Sequence, residues 1–440
     1  MLQTKVGNAS GASDSLLKLS DDEFELLLDC VRCGFCLVSC PVFTQTFDEV
    51  DSPRGRIHIL RALAEGRVSV TQTLLNHLYS CLACRACQAT CPSGVRYGFI
   101  NDIARAKLER KGFGVTKRNK LLRLLIRHVF PHRKRFELLV RFIEACRGVG
   151  LISIAKRFEN FSQGLRRWLQ LEEMLPNTRV RRAFYDGRTA IKPKQKTRMR
   201  VGFHLGCASE VLLKDVNEAS IKVLLELGCE VIIPEGQTCC GAIAMHTGFD
   251  EDAKWFAKRN IEAFERYDVD VIVSNAAGCS AALKEYAQWL NDDEAFRERA
   301  VKFSRLVRDW TEVVAQLPFR EHMKPLQLRV TYDDPCHLLH AQGIREQPRK
   351  LIRAIPSIDF VELREAEMCC GGAGVHGMLF TELSTELLER KLKNIKETCA
   401  QVVVTANTGC KLQLQYGIKK QGLDVKVMHI AELIALSFGV

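Results

Sequence analysis

The sequence predicts a multi-domain α+β chain. An α-helical, cysteine-rich N-terminal domain is followed by a basic helical linker and then by tandem α/β units with parallel sheets. Three observations predict this. Residues 30–92 carry two copies of C-x2-C-x2-C-x3-C-P. Residues 110–200 hold 25 Lys/Arg against 6 Asp/Glu. Beyond residue 200, short β-rich runs alternate with helical stretches, and one cysteine pattern occurs twice.

At ~150 residues per domain, 440 residues suffice for two or three domains. Apolar residues make up 47% and charged residues 26%, an ordinary globular balance that argues against general disorder. No apolar run approaches the ~18 residues of a membrane span. The start, MLQTKVGNASGASDS, has no apolar h-region, so a secretory signal is not expected. Nineteen clustered cysteines then read as reduced thiolates holding metal in a reducing compartment, the cytoplasm or the inner face of its membrane. The formal charge of +12 is uneven: 110–200 carry +19 and the rest −7, unlike a uniformly basic nucleic-acid binder.

Residues 1–20 are polar and Gly/Ser-bearing, a frayed start. Residues 21–112 form the first domain. Within it 21–28, opened by Asp21 and Asp22, 57–64 and 70–79 have helical spacing. Residues 113–200 read as basic amphipathic helices broken near Pro131 and Gly148–Gly150, with 192–200 as the end of the linker. This segment is either a solvated helical linker or a docking surface for partner subunits or anionic lipid. Strands are expected at 201–205, 229–233 and 269–274 in one unit, 201–327. They recur at 328–332, 359–363 and 401–405 in the next, 328–440.

The first motif supplies Cys30, Cys33, Cys36 and Cys40, and the second Cys81, Cys84, Cys87 and Cys91. Three thiolates at two-residue gaps wrap one face of a [4Fe-4S] cube, and the fourth reaches the neighbouring cube, as in two-cluster ferredoxins. Cys30, Cys33, Cys36 and Cys91 therefore form one set. Cys81, Cys84, Cys87 and Cys40 form the other. A zinc site gives no reason for the Cys-Pro that ends both copies.

The later pattern is Cys207, Cys239-Cys240-Gly and Cys279, then Cys336, Cys369-Cys370-Gly and Cys410. The gaps are 31 and 38 residues in the first copy, 32 and 39 in the second. All eight cysteines fall beyond the carboxyl ends of expected parallel strands, where open α/β sheets place ligands. Each set of four suits an iron–sulfur cluster, a zinc ion or a redox thiol site. Cys146, Cys229 and Cys399 lie outside the pattern and read as buried or half-buried small residues. Among the nearby histidines (His204, His246, His337, His340 and His376), His246 and His376 follow the paired cysteines closely in both copies. They are the candidates for proton transfer to a two-electron acceptor.

Together CVRCGFCLVSCPVF, DSPRGRIHILRALAEG, CLACRACQATCPSGVRYG, CCGAIAMHTG, NAAGCSAALKEY, DPCHLLHAQG, CCGGAGVHG and TANTGCKLQ resemble the iron–sulfur subunit of glycolate oxidase (glycolate dehydrogenase), the F component. The resemblance covers about 20–110 and 200–437. It implies two [4Fe-4S] clusters, with further iron–sulfur in the repeats, and FAD-containing partner subunits that oxidise glycolate to glyoxylate. The electrons then pass to a quinone or other non-oxygen acceptor, with peripheral membrane contact and no nucleic acid. Subunits of L-lactate and anaerobic glycerol-3-phosphate dehydrogenases and of heterodisulfide reductase share the layout and are the alternatives. Their C-x-x-C is departed from here, since Ala276 and Asn407 stand three before Cys279 and Cys410. No G-x-G-x-x-G follows a strand and there is no P-loop, in keeping with flavin chemistry on another chain.

Overall fold

A computed structural model describes residues 17–114, 120–158, 161, 162, 165, 166, 169, 172, 173, 175, 176 and 181–440. The expected frayed start at 1–16 and much of 159–180 lie outside these residues. Residues 17–20 are not frayed. Leu17 is buried in the N-terminal core, and Leu19 packs beside Phe24 on the same core. Ser20 caps the helix Asp21–Leu28 in a reciprocal capping box with Glu23. An apolar residue before such a cap fixes the angle at which the chain enters the helix.

The N-terminal domain is helical. Ser52 caps Pro53–Ala64, with Pro53 in its first turn where the missing N–H costs nothing. Thr71 caps Gln72–Tyr79, and Tyr97–Arg110 closes the domain. The basic segment forms Lys120–Leu124 running into a π turn at Leu125–Val129, then Arg133–Gly148 and Leu151–Arg157. Gly150, at φ +76°, makes the break between the last two.

Two parallel sheets follow. The first contains β1 (Ala190–Ile191), β2 (Met199–His204), β3 (Cys229–Ile232), β4 (Val271–Ser274) and β5 (Val307–Asp309), in the order β1-β3-β2-β4-β5. The second contains β6 (Arg329–Asp333), β7 (Asp359–Val361), β8 (Val402–Thr405) and β9 (Lys426–His429), in the order β7-β6-β8-β9. Val201 of β2 stands between Val231 and Val271, as Val330 of β6 stands between Phe360 and Val402. The duplicated cysteine pattern therefore sits on a duplicated topology. Only β1 breaks the correspondence. It pairs antiparallel with β3, so part of the stretch assigned to the linker joins the first sheet.

One apolar core spans both sheets, from Val201 and Val273 through Trp310 to Val330 and Val404. At the seam, the Ala277 N–H donates to the Ala406 carbonyl (3.2 Å) and Ser209 meets Thr408. The architecture is α+β and multi-domain, as the sequence predicts.

Candidate metal centres

Both ferredoxin loops bend the same way. Arg32 and Ala83, each just before the second cysteine, are left-handed at φ +58° and +52°. Gly34 and Arg85, just after it, are left-handed at +91° and +63°. Successive backbone N–H groups in such turns line a concavity suited to anions. Gly34 also needs to lack a side chain, because a Cβ there would lie 2.9 Å from Arg54 Nη1. Arg54 is held by Glu49 (2.6 Å) and donates to the Arg32 carbonyl (3.0 Å), bracing the loop.

Two adjoining cavities result. One is lined by Cys30, Cys33, Cys36, Cys87 and Cys91. The other is lined by Cys40, Cys81, Cys84 and Cys87. Cys87, Pro53 and Tyr97 border both. Four thiols, apolar walls and inward amides in each fit a thiolate-bound iron–sulfur cube. Cys33 is exposed at the mouth of the first, whereas Cys40, Cys81, Cys84 and Cys87 are buried. Burial pushes the Cys84 and Cys87 thiols well up. Burial also raises Cys40, opposed by the charge of Arg56.

Arg56, of the SPRGR stretch, is fully buried beside the second cavity. It donates to the His77 carbonyl (2.7 Å) and Ser80 Oγ (2.8 Å) and pairs with Asp51 (3.4 Å). Sequence reasoning gave it no role, although its guanidinium faces both Cys40 and Cys81.

In each repeat the four cysteines converge at the carboxyl edge of adjacent strands. Cys207 opens the helix after β2, Cys239 and Cys240 follow β3, and Cys279 lies in the helix after β4. Cys207 Sγ is 3.5 Å from Cys239 Sγ, and contact runs on through Cys240 to Cys279. Cys336, Cys369, Cys370 and Cys410 form the same chain of contacts. The glycine of each Cys-Cys-Gly is left-handed, Gly241 at +84° and Gly371 at +83°. A Cβ on Gly371 would lie 2.5 Å from the Ser384 carbonyl oxygen. Zn–S bonds of ~2.3 Å in a tetrahedron set sulfurs ~3.8 Å apart, so the 3.5 Å contact suits a single ion or a thiol pair as it stands. A cubane needs these thiols to spread.

The two repeat sites differ in charge. At the end of β2 stands His204, which donates to or accepts from nothing charged and is held near a pKa of about 4 by burial. The matching residue of β6 is Asp333, paired with the fully buried Lys391 (3.0 Å). In the first repeat the hydrogen bond to Cys239, then burial, raises Cys207, and Cys240 is raised as well. In the second, Cys336 is held well down by its hydrogen bond from Cys369 and by His337. Cys370 is held down by contact with the Cys369 and Cys410 thiols, with Lys391 contributing. Asn407, three before Cys410, spans the two sites. Its Nδ2 donates to Cys410 Sγ (3.4 Å), and its Oδ1 accepts from the Gly278 N–H (3.2 Å).

The sites are not equally placed against the N-terminal domain. Cys40 and Cys84 share one buried cluster with Cys336 and Cys369. The first-repeat cysteines pack instead with Phe249, Tyr286 and Trp289. Polar contacts clamp the domain to the repeats, among them the pair of Asp102 with His246 (3.0 Å). Arg85 forms a bidentate pair with Glu285, and Arg105 donates to the His246 carbonyl (2.8 Å) and the Cys81 carbonyl (2.7 Å). His376 Nε2 donates to the Ser80 carbonyl (2.8 Å).

The candidate histidines are thus separated. His376 is buried in the domain joint with its pKa pushed down to about 3 by burial. His246 donates from Nδ1 to Asp102 (3.0 Å) and stacks on His337 at 5.6 Å, so its neighbour is His337 rather than His376. His337 Nδ1 lies 3.8 Å from Cys336 Sγ. His340 meets the Glu367 carbonyl (3.2 Å). Of the remaining cysteines, Cys229 is buried and Cys146 half-buried, but Cys399 is exposed, in the turn just beyond the end of the helix Thr381–Glu397.

Residues 26–95 match the 4Fe-4S dicluster domain, and 201–284 and 330–415 each match the cysteine-rich domain. The probable glycolate oxidase iron-sulfur subunit of Bacillus subtilis (strain 168) is 36% identical over 426 residues, 95% of each chain. The chain belongs to the glycolate oxidase iron–sulfur subunit family. The glycolate oxidase iron-sulfur subunit of Escherichia coli (strain K12) is 31% identical over 88% of this chain and 90% of that one. One of the subunits of the fumarate reductase (CoM/CoB) of Methanothermobacter marburgensis is 29% identical over 94% of this chain and 72% of that one. This family member is accordingly an iron–sulfur subunit of an oxidoreductase complex. Among the described residues, no helix is long and apolar enough to cross a membrane.

Proposed function

We propose that the chain carries electrons from FAD-containing subunits, which oxidise glycolate to glyoxylate, to a quinone or another non-oxygen acceptor. The observation that carries this reading is a continuous row of cysteine sites: the cavities share Cys87, and Cys84 then abuts Cys336. Cys30, Cys33, Cys36 and Cys91 hold one [4Fe-4S] cluster, and Cys81, Cys84, Cys87 and Cys40 hold the other. When bound, these clusters supply one-electron steps between a two-electron donor and a two-electron acceptor. Glycolate oxidation releases two electrons and two protons, and reduction of a quinone to a quinol takes up both.

The flavin subunit meets the face around Cys33, where exposed Val31 and Phe35 line the first cavity. The second repeat, with Cys336, Cys369, Cys370 and Cys410, takes the electrons onward, and Cys207, Cys239, Cys240 and Cys279 form its counterpart in the first. His246, oriented by Asp102, handles protons beside His337. His376 stays neutral in the joint. The protein sits in the cytoplasm, peripheral to the inner face of the membrane.

Anaerobic reconstitution with the flavin subunits tests this. Glycolate alone should bleach the iron–sulfur absorption, and a quinone analogue should restore it. No bleaching with glycolate, but bleaching with L-lactate or glycerol 3-phosphate, moves the chain to those dehydrogenases. A second reading, reduction of a disulfide substrate at the repeats, is favoured by the 3.5 Å contact of Cys207 with Cys239. Reoxidation by a disulfide in place of the quinone analogue would select it.

A further inference from the structure

The helix Arg133–Gly148 has two apolar faces. Inward, Phe136 and Val140 are buried against Val211, Leu212 and Val216 of the first repeat. Outward, Leu138, Phe142 and Val149, spaced by four and seven residues, are 69, 64 and 71% exposed. The stripe resumes along Leu151–Arg157, where Leu151, Ile154 and Phe158 recur at three and four residues and are each more than half exposed. At 100° per residue, exposed Lys134 and Arg141 flank one side of the line through Leu138 and Phe142, and exposed Arg135 flanks the other. The acids of the helix lie off this face, and Glu137 is engaged by Arg133 (3.0 Å).

We propose that this basic-flanked stripe seats the protein on an anionic lipid surface, with the helix lying in the interfacial plane. The inference deepens the peripheral contact proposed above and rests on it. The inward face explains why the helix is held in place without the stripe, so the outward face is spare apolar surface. An amphipathic helix with apolar residues between cations is the form that partitions into headgroups. Three cations bracketing one apolar line call for several anions at once, which an anionic bilayer supplies.

Flotation of the full-length, cluster-loaded protein with vesicles tests the assignment. The vesicles are about three parts phosphatidylcholine to one of phosphatidylglycerol, against phosphatidylcholine alone. The wild type should float with the anionic vesicles about tenfold more than with the neutral ones, and high salt should erase the difference. Leu138→Ser with Phe142→Ser should lower binding about tenfold, as should Lys134→Gln with Arg135→Gln and Arg141→Gln, with the iron–sulfur absorption unchanged in both. Variants that float like the wild type overturn the stripe and leave peripheral contact standing elsewhere on the chain. A wild type that ignores anionic vesicles overturns both. If the apolar variant instead loses its flavin subunits while the wild type ignores vesicles, the stripe is a protein interface and the proposal fails.

Discussion

Arg56 and Cys33 show what single residues contribute. Arg56 is fully buried, and its removal leaves Asp51 without its guanidinium and takes one donor each from Ser80 Oγ and the His77 carbonyl. Breaking such a buried pair costs about 3–5 kcal/mol, so Arg56→Met should lower the unfolding free energy by that order in chemical denaturation. Cys33→Ser and Cys84→Ser should each remove about half of the cubane iron and sulfide, by metal analysis, because each set loses one of its four thiolates. The eight ferredoxin cysteines were legible because their spacing along the chain is itself the coordination pattern. Arg56, Asp102, Lys391 and the pairing of His246 with His337 were not. Each acquires its role from a partner 5 to 144 residues away, and such partners have no periodic signature.

At the scale of elements, the Cys-Cys-Gly turns contrast usefully with an ordinary helix end. Gly371→Ala combines a left-handed backbone with a 2.5 Å approach to the Ser384 carbonyl and should cost more than about 2 kcal/mol while disturbing Cys369 and Cys370. Gly343→Ala has a similar φ of +68° but open space around it, and should cost only about 1 kcal/mol by thermal unfolding. Equal costs would show that the conformation alone, not the close approach, matters. Six strands were legible from apolar β-branched runs. β1, β5 and β9 were not. They are two to four residues long, and charged residues take up Arg308 and Asp309 of β5 and Lys426 of β9. Each becomes a strand only because a neighbouring edge offers hydrogen bonds.

For the whole molecule, His376 ties the N-terminal domain to the second repeat as a neutral donor. Its pKa falls to about 3 from the usual 6.5, so protonation favours the unfolded or undocked chain. The associated stability is complete above pH 6.5 and is lost as pH falls toward 3. At pH 5 the deficit is about 2 kcal/mol. The thermal unfolding temperature should therefore fall between pH 7.5 and 5. His376→Asn, which keeps a donor but does not titrate, should flatten that dependence. An unchanged slope would place the acid sensitivity elsewhere.

The central claim is that electrons pass from the N-terminal sites through the second repeat. Rapid mixing of the reconstituted complex carrying Cys370→Ser tests it most directly, with the iron–sulfur absorption as the readout. Glycolate should bleach the N-terminal centres as in the wild type, and a quinone analogue should then fail to restore them. Restoration at the wild-type rate would contradict the account and show that electrons leave from the N-terminal domain without the repeats.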